Sequence, residues 1–230
     1  MALTTSLRVS VRPDAIHRHE DYVRRLVGRA RPDPDSFSWT AYQIVAGEVG
    51  AYFYGSEADD WASLTAREST DALARRLFGE EEGSSLLEQM NNGVAGARLI
   101  VFRDRPDLSY FPEQADQPPA FIIRTRIRAC AGGQDACEEL IRKVAETVPK
   151  VDDPRRFRTL QTLIGDLNEY SIVRTVSDPA HLDHERTVPD LLNEVFGAAE
   201  GGLLLRGGRE AIESVQSDLA LYRDDLSNPR

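Results

Sequence analysis

The chain has 230 residues, 41% hydrophobic and 29% charged, the balance of an ordinary soluble globular protein. A formal net charge of −10 argues against nucleic acid as a partner, because phosphate binding needs a basic surface. No stretch approaches the roughly 18 apolar residues of a membrane helix, and Cys130 and Cys137 are too few for a disulfide framework or a zinc site, so free thiols are expected.

The start, MALTTSLRVSVRP, lacks the pattern of a signal peptide and reads as a first strand. A cytoplasmic protein is therefore expected. Arginine carries almost all the positive charge, the only lysines being Lys143 and Lys150, as a GC-rich bacterial genome would give. Leu7, Val9 and Val11 alternate with Ser6, Arg8 and Ser10, the period of a half-buried strand. Ile16, His19, Val23, Leu26, Val27 and Ala30 recur at helical spacing until RPDPD breaks the pattern. Two strands are predicted around 37–46 and 51–55, joined by a turn at Gly47–Gly50. A second helical region runs from Asp59 to Phe78, with Gly79 past its end. A short helix carrying Leu86, Leu87 and Met90 and a strand at 98–103 follow. The second half repeats the order: strand 121–129, helix 134–149, strands 156–164 and 168–176, helix 181–196 and strand 218–223. Between the halves, Asp104 to Pro119 holds four prolines and is expected to be a linker.

The repeat is visible residue by residue. A shift of 118 carries Arg8 onto Arg126, Glu20 onto Glu138, Arg24 onto Arg142, Gln43 onto Gln161 and Tyr52 onto Tyr170. It carries Asp60, Ala62 and Leu64 onto Asp178, Ala180 and Leu182, and Phe78-Gly79 onto Phe196-Gly197. A two-residue insertion is then expected in the second copy, raising the shift to 120 so that Phe102-Arg103-Asp104 meets Tyr222-Arg223-Asp224. The expected divisions are unit 1 over 1–104, a linker over 105–119 and unit 2 over 120–230.

The order β-α-β-β-α-β is the ferredoxin-like pattern. The expected fold class is α+β, two tandem ferredoxin-like units forming a pseudo-dimeric α/β barrel. With its doubled pattern F/W-x3-Q-x3-G-x4-Y then D-x-A-x-L (Trp39, Gln43, Gly47, Tyr52, Asp60, Ala62 and Leu64 in the first copy), the chain resembles the dimeric α/β-barrel superfamily. That superfamily includes antibiotic-biosynthesis-type monooxygenases, NIPSNAP-like proteins and chlorite-dismutase-like haem proteins.

The duplication also supplies a control for function. A residue in both copies is structural or part of a pseudo-symmetric site, whereas a reactive residue in one copy only is a better candidate for a single active site. The first strands place Arg8 in copy one, and Arg124, Arg126 and Arg128 in copy two, on the face opposite the helices. Buried guanidiniums need partners, either protein carboxylates or a bidentate anionic ligand. Gln43 and Gln161 share a face with Trp39 or Phe157 and could orient a ligand or bond within the protein. His19 aligns with Cys137 in an apolar stripe and reads as core. Trp61 reads as core packing on its helix.

His181 and His184 have no histidine counterparts, aligning with Ser63 and Ala66. The resemblance to chlorite-dismutase-like proteins makes His184, then His181, the haem-ligand alternative. No metal site is expected, because a third ligand is missing. The functional expectation is small-molecule binding between the two units, by a cofactor-independent monooxygenase- or isomerase-like enzyme acting on a polar or anionic ligand. A haem protein and a non-catalytic scaffold are the alternatives, and a homo-oligomer is allowed.

Overall fold

A computed structural model of the chain describes residues 2–111 and 118–229. The first half contains β1 (Leu3–Val11), α1 (Ile16–Ala30), β2 (Thr40–Ala46), β3 (Ala51–Ala58), α2 (Trp61–Ala66), α3 (Thr70–Phe78), α4 (Glu80–Asn91) and β4 (Val94–Asp104). The second contains β5 (Phe121–Ala129), α5 (Gln134–Thr147), β6 (Phe157–Ile164), β7 (Glu169–Val176), α6 (Val188–Ala211) and β8 (Ile212–Tyr222). The hydrogen-bonded strand order is β1-β3-β2-β8-β5-β7-β6-β4, closed as a barrel. The fold is the α+β barrel of two ferredoxin-like units that the repeat predicts. Among the described residues no helix is long and apolar enough to cross a membrane.

Register repeats as faithfully as sequence. Arg8 pairs with Phe53 and Gln43 with Tyr52 in the first half; Arg126 pairs with Ser171 and Gln161 with Tyr170 in the second. Each of these pairs is shifted by 118. The 118 offset also persists where a change to 120 was expected. The strands β4 and β8 begin at 94 and 212, and the 3-10 turns Pro106–Leu108 and Asp224–Leu226 follow at the same spacing. The true match is therefore Arg105-Pro106-Asp107-Leu108-Ser109 on Arg223-Asp224-Asp225-Leu226-Ser227. No insertion intervenes.

The glycines shared by the copies have definite tasks. Gly79 and Gly197 turn the helical region at φ +82° and +77°, a left-handed conformation that suits glycine. The second copy turns at the same point: Gly197 is non-helical inside α6, so a first arm ends near 196 as expected and a second arm, which the sequence reading did not separate, runs on to Ala211. Four residues on, a Cβ at Gly83 would stand 2.7 Å from the Arg75 Cα, so the two helical arms touch there. The shared aspartates act as caps: Asp60 accepts from the Ser63 amide at 2.7 Å, and Asp178 from the Ala180 amide at 2.9 Å.

The compact units are cut differently from the sequence halves. One comprises residues 1–102 with 221–230, and the other residues 103–220. Each thus includes the C-terminal segment of the other half. In the first unit, Val9, Val11, Val23, Leu26, Val27, Trp39, Tyr52 and Leu87 form the core between sheet and helices. In the second, Ala129, Cys137, Ile141, Tyr170 and Ala211 do so, with Leu108 from the exchanged segment. Both cysteines are free, Cys137 fully buried and Cys130 partly exposed. Trp61 is not core: it opens α2 and is 43% exposed.

Candidate functional site

The sequence candidates fall on two different faces. Gln43, Gln161 and Trp39 lie on the helix side of their sheets, where they hold the exchanged segments. In the first unit, Arg223 Nη1 donates to Glu20 Oε1 and to Gln43 Oε1, both at 2.6 Å. The Tyr52 hydroxyl donates to the same Glu20 oxygen at 2.8 Å. Asp225 takes Arg223 Nε and Nη2, each at 2.9 Å. Trp39 Nε1 donates to the Leu226 carbonyl at 2.8 Å, and Trp39 and Asn228 form a short antiparallel bridge.

The second unit repeats this cluster. Arg105 bonds Glu138 through both terminal nitrogens at 2.6 Å and reaches Gln161 Oε1 at 2.9 Å. Tyr170 donates to Glu138 at 2.7 Å, and Asp107 takes Arg105 Nε at 2.9 Å. Charge-assisted bonds of this kind favour the ionised carboxylate. Bonding to Arg223 lowers the pKa of Glu20 and holds Asp225 down at about 2. Arg105 does the same to Glu138 and Asp107. Burial, then the neighbouring glutamate, raises the Tyr52 and Tyr170 hydroxyls. The cluster occurs in both copies and is fully engaged, so the duplication control marks it as structural.

The arginines occupy the other face, opposite the helices. Arg8 pairs with Glu48 and lies over the Phe53 ring at 5.8 Å. Arg124 is 4% exposed and donates to Ser171 Oγ at 2.8 Å. Arg126 donates to Gln216 at 2.8 Å, and its Nη2 stands 3.6 Å from Asp218 Oδ2, an ion pair longer than a hydrogen bond. Arg128 turns toward solvent and pairs with Asp166 at 2.9 Å and Glu213 at 3.2 Å. Much of the guanidinium charge is therefore met by protein carboxylates.

On this helix-free face of the second unit, four polar side chains keep buried atoms without a hydrogen-bond partner: Arg126 Nε, Thr162 Oγ1, Glu169 Oε1 and Asp218 Oδ2. Thr162, Asp218 and Glu169 are 3%, 5% and 8% exposed. Alternation along the strands puts them together. Glu169 pairs in register with Arg128, one row from the Arg126–Ser171 pair, and Thr162 follows Gln161, the partner of Tyr170. Leu160 and Val173 add apolar surface to the same face.

A shift of 118 gives the first-copy counterparts. Thr162, Glu169 and Asp218 align with Ile44, Ala51 and Ile100, and Arg126 with Arg8. Three of the four groups are thus polar in one copy only, the pattern the duplication control selects. The sequence reading missed Thr162, Glu169 and Asp218. Applying the control to acidic and hydroxyl residues as well as to histidines would have found them.

The histidines separate clearly. His19 is buried and its Nε2 lies 2.9 Å from the Tyr54 hydroxyl. Burial pushes its pKa down to about 4, so it is neutral. His184 is exposed at the end of the 3-10 turn Pro179–His184. The His181 side chain lies outside the described residues. Among the described residues no group of three or more His, Cys, Asp or Glu could hold a metal ion.

No protein-family model matches the chain, and no curated protein matches it. Solved structures do. An anthrone oxidase-like protein is 12% identical, with a TM-score of 0.62, covering 100% of this chain and 94% of its own. A candidate monooxygenase from Lactobacillus acidophilus NCFM is 8% identical, with a TM-score of 0.58 and coverages of 99% and 97%. Chlorite dismutase from Candidatus Nitrospira defluvii, in complex with imidazole, is 10% identical, with a TM-score of 0.53 and coverages of 97% and 92%. Together with the strand order, these likenesses show that the chain has the dimeric α/β-barrel fold.

Proposed function

We propose that the protein binds a polar or anionic small molecule on the helix-free face of its second unit. One observation carries this reading: buried charged and hydroxyl groups with unmet hydrogen-bonding capacity gather on that face, and the first copy is apolar at three of the four positions. Unmet buried polar groups cost roughly 1–3 kcal/mol each, so a fold gains nothing by keeping them for packing. The likeness in fold to an anthrone oxidase-like protein and a candidate monooxygenase supports an oxygenase-like reaction on that ligand. Arg126 is the group suited to an anionic part of the ligand, and Arg124 fixes Ser171 beside it.

The test is thermal denaturation of the wild type and Arg126→Gln with benzoate, citrate and inorganic phosphate. At least one anion is expected to raise the wild-type Tm and to lose that effect in Arg126→Gln. If no anion stabilises the wild type, and Arg126→Gln lowers Tm without ligand, the arginine is purely structural.

The haem alternative has a weaker footing. His184 is exposed and does not fit an axial ligand, which needs an apolar wall around the porphyrin. Titration with haemin is expected to give the same spectrum for the wild type and His184→Ala. A Soret shift lost only in the variant would restore the haem reading.

A further inference from the structure

We infer that the ligand of this face carries a hydroxyl or ammonium donor close to its anionic or carbonyl group, and that Glu169 is the residue that selects for the donor. The inference rests on the binding reading above and deepens it. A face that recognised anions alone would present donors. This one presents two acidic side chains, Glu169 and Asp218, each more than nine-tenths buried and each with an oxygen lacking a hydrogen bond.

The two acids differ in their surroundings. Asp218 has Arg126 Nη2 at 3.6 Å as a counter-charge. Arg128, the in-register neighbour of Glu169, instead turns to Asp166 and Glu213. Glu169 is thus a buried acceptor with a free oxygen, beside the Thr162 hydroxyl and one row from the free Arg126 Nε–H. A ligand that only accepts hydrogen bonds would leave Glu169 unmatched and repelled. A ligand with an O–H or N–H about one strand spacing from its carboxylate or carbonyl would satisfy both sides at once, since adjacent strands lie about 4.8 Å apart. Leu160 and Val173 on the same face suit an apolar or aromatic frame between the two groups. Rejection of an analogue that lacks the donor is strong in sites of this kind, because the buried acceptor is then left unpaired.

The experiment compares 3-hydroxybenzoate, 3-methoxybenzoate and benzoate by thermal shift on the full chain, for the wild type, Glu169→Gln and Asp218→Asn. The expected result, with all three at one concentration tenfold above the Kd of 3-hydroxybenzoate, is a wild-type Tm rise for 3-hydroxybenzoate about 3 °C or more above that for the other two. Glu169→Gln, which loses the charge and half of the acceptor capacity but keeps one acceptor oxygen, is expected to shrink the difference while keeping the benzoate shift. Equal shifts for all three, unchanged in Glu169→Gln, would overturn the donor inference and leave the anion-binding reading standing. No shift with any of the three would overturn the donor inference, and the anion-binding reading falls with it only if citrate and inorganic phosphate also give no shift. A difference that vanishes in Asp218→Asn but survives undiminished in Glu169→Gln would move the selecting role to Asp218 and contradict the assignment made here.

Discussion

At the scale of single residues, burial rather than charge pairing sets the most consequential ionisation in the first unit. His19 titrates near 4 when folded, below its ordinary value of 6.5, because burial disfavours its charged form. Between those two values the unfolded chain holds one more proton than the folded one. Stability is therefore full above pH 6.5 and falls as pH drops toward 4, by about 3 kcal/mol in all. Urea denaturation of the wild type and His19→Gln from pH 7 to pH 4 is expected to show a steeper loss for the wild type. Equal slopes would mean that His19 does not link stability to pH here. The carboxylates Glu20, Glu138, Asp107 and Asp225 act lower. Their folded pKa values are depressed, so their contribution is present above the ordinary carboxylate range and is lost below it, as pH falls through the lower folded values. Cys137, fully buried and pushed up to about 11 by burial, is expected to resist a bulky thiol reagent in the folded protein while Cys130 reacts. Rapid double labelling without unfolding would contradict its placement.

At the scale of elements, the short segments after β4 and β8 do more than their length suggests. Each brings an arginine, an aspartate, a leucine and a serine to the unit built around the other half's first helix and hairpin. Arg223→Ala would leave Glu20 and Asp225 without their main partner, and Arg105→Ala would do the same to Glu138 and Asp107. Each substitution is expected to cost about 2–3 kcal/mol, below the fully buried case because these groups remain partly exposed. Equilibrium denaturation measures this, and near-neutral effects at both positions would show that the exchanged segments are held by apolar packing alone.

This latch also explains what could be read in advance. The shared residues Glu20/Glu138, Gln43/Gln161 and Tyr52/Tyr170 were legible as a repeat, but their arginine was not. Arg105 sits in a proline-bearing stretch that reads as linker, Arg223 was matched to Arg103 by the shift of 120, and their glutamate partners lie 33 and 203 positions away in sequence. The strand and helix order was legible because periodicity is local. The helix end near 196 was legible because a glycine past a helix end is a local signal, whereas the second arm that runs from Gly197 to Ala211 was not separated out.

At the scale of the whole molecule, two copies of one fold carry unlike helix-free faces. The repeat revealed the fold because both copies must meet the same packing demands. It hid the candidate site because that site consists of departures from the repeat. Thr162 and Glu169 look unremarkable in strands until they are set beside Ile44 and Ala51. If these two residues are retained for a ligand, the empty protein bears their cost and gains by losing it, as strained functional sites commonly do. The Tm of the unliganded double variant Thr162→Val/Glu169→Gln measures this directly, since both changes preserve side-chain shape and remove a hydroxyl and a charge. A Tm equal to the wild type's or a few degrees higher is the predicted result. A fall of several degrees would show that the two groups hold the fold together, and would contradict the claim that this face exists to bind.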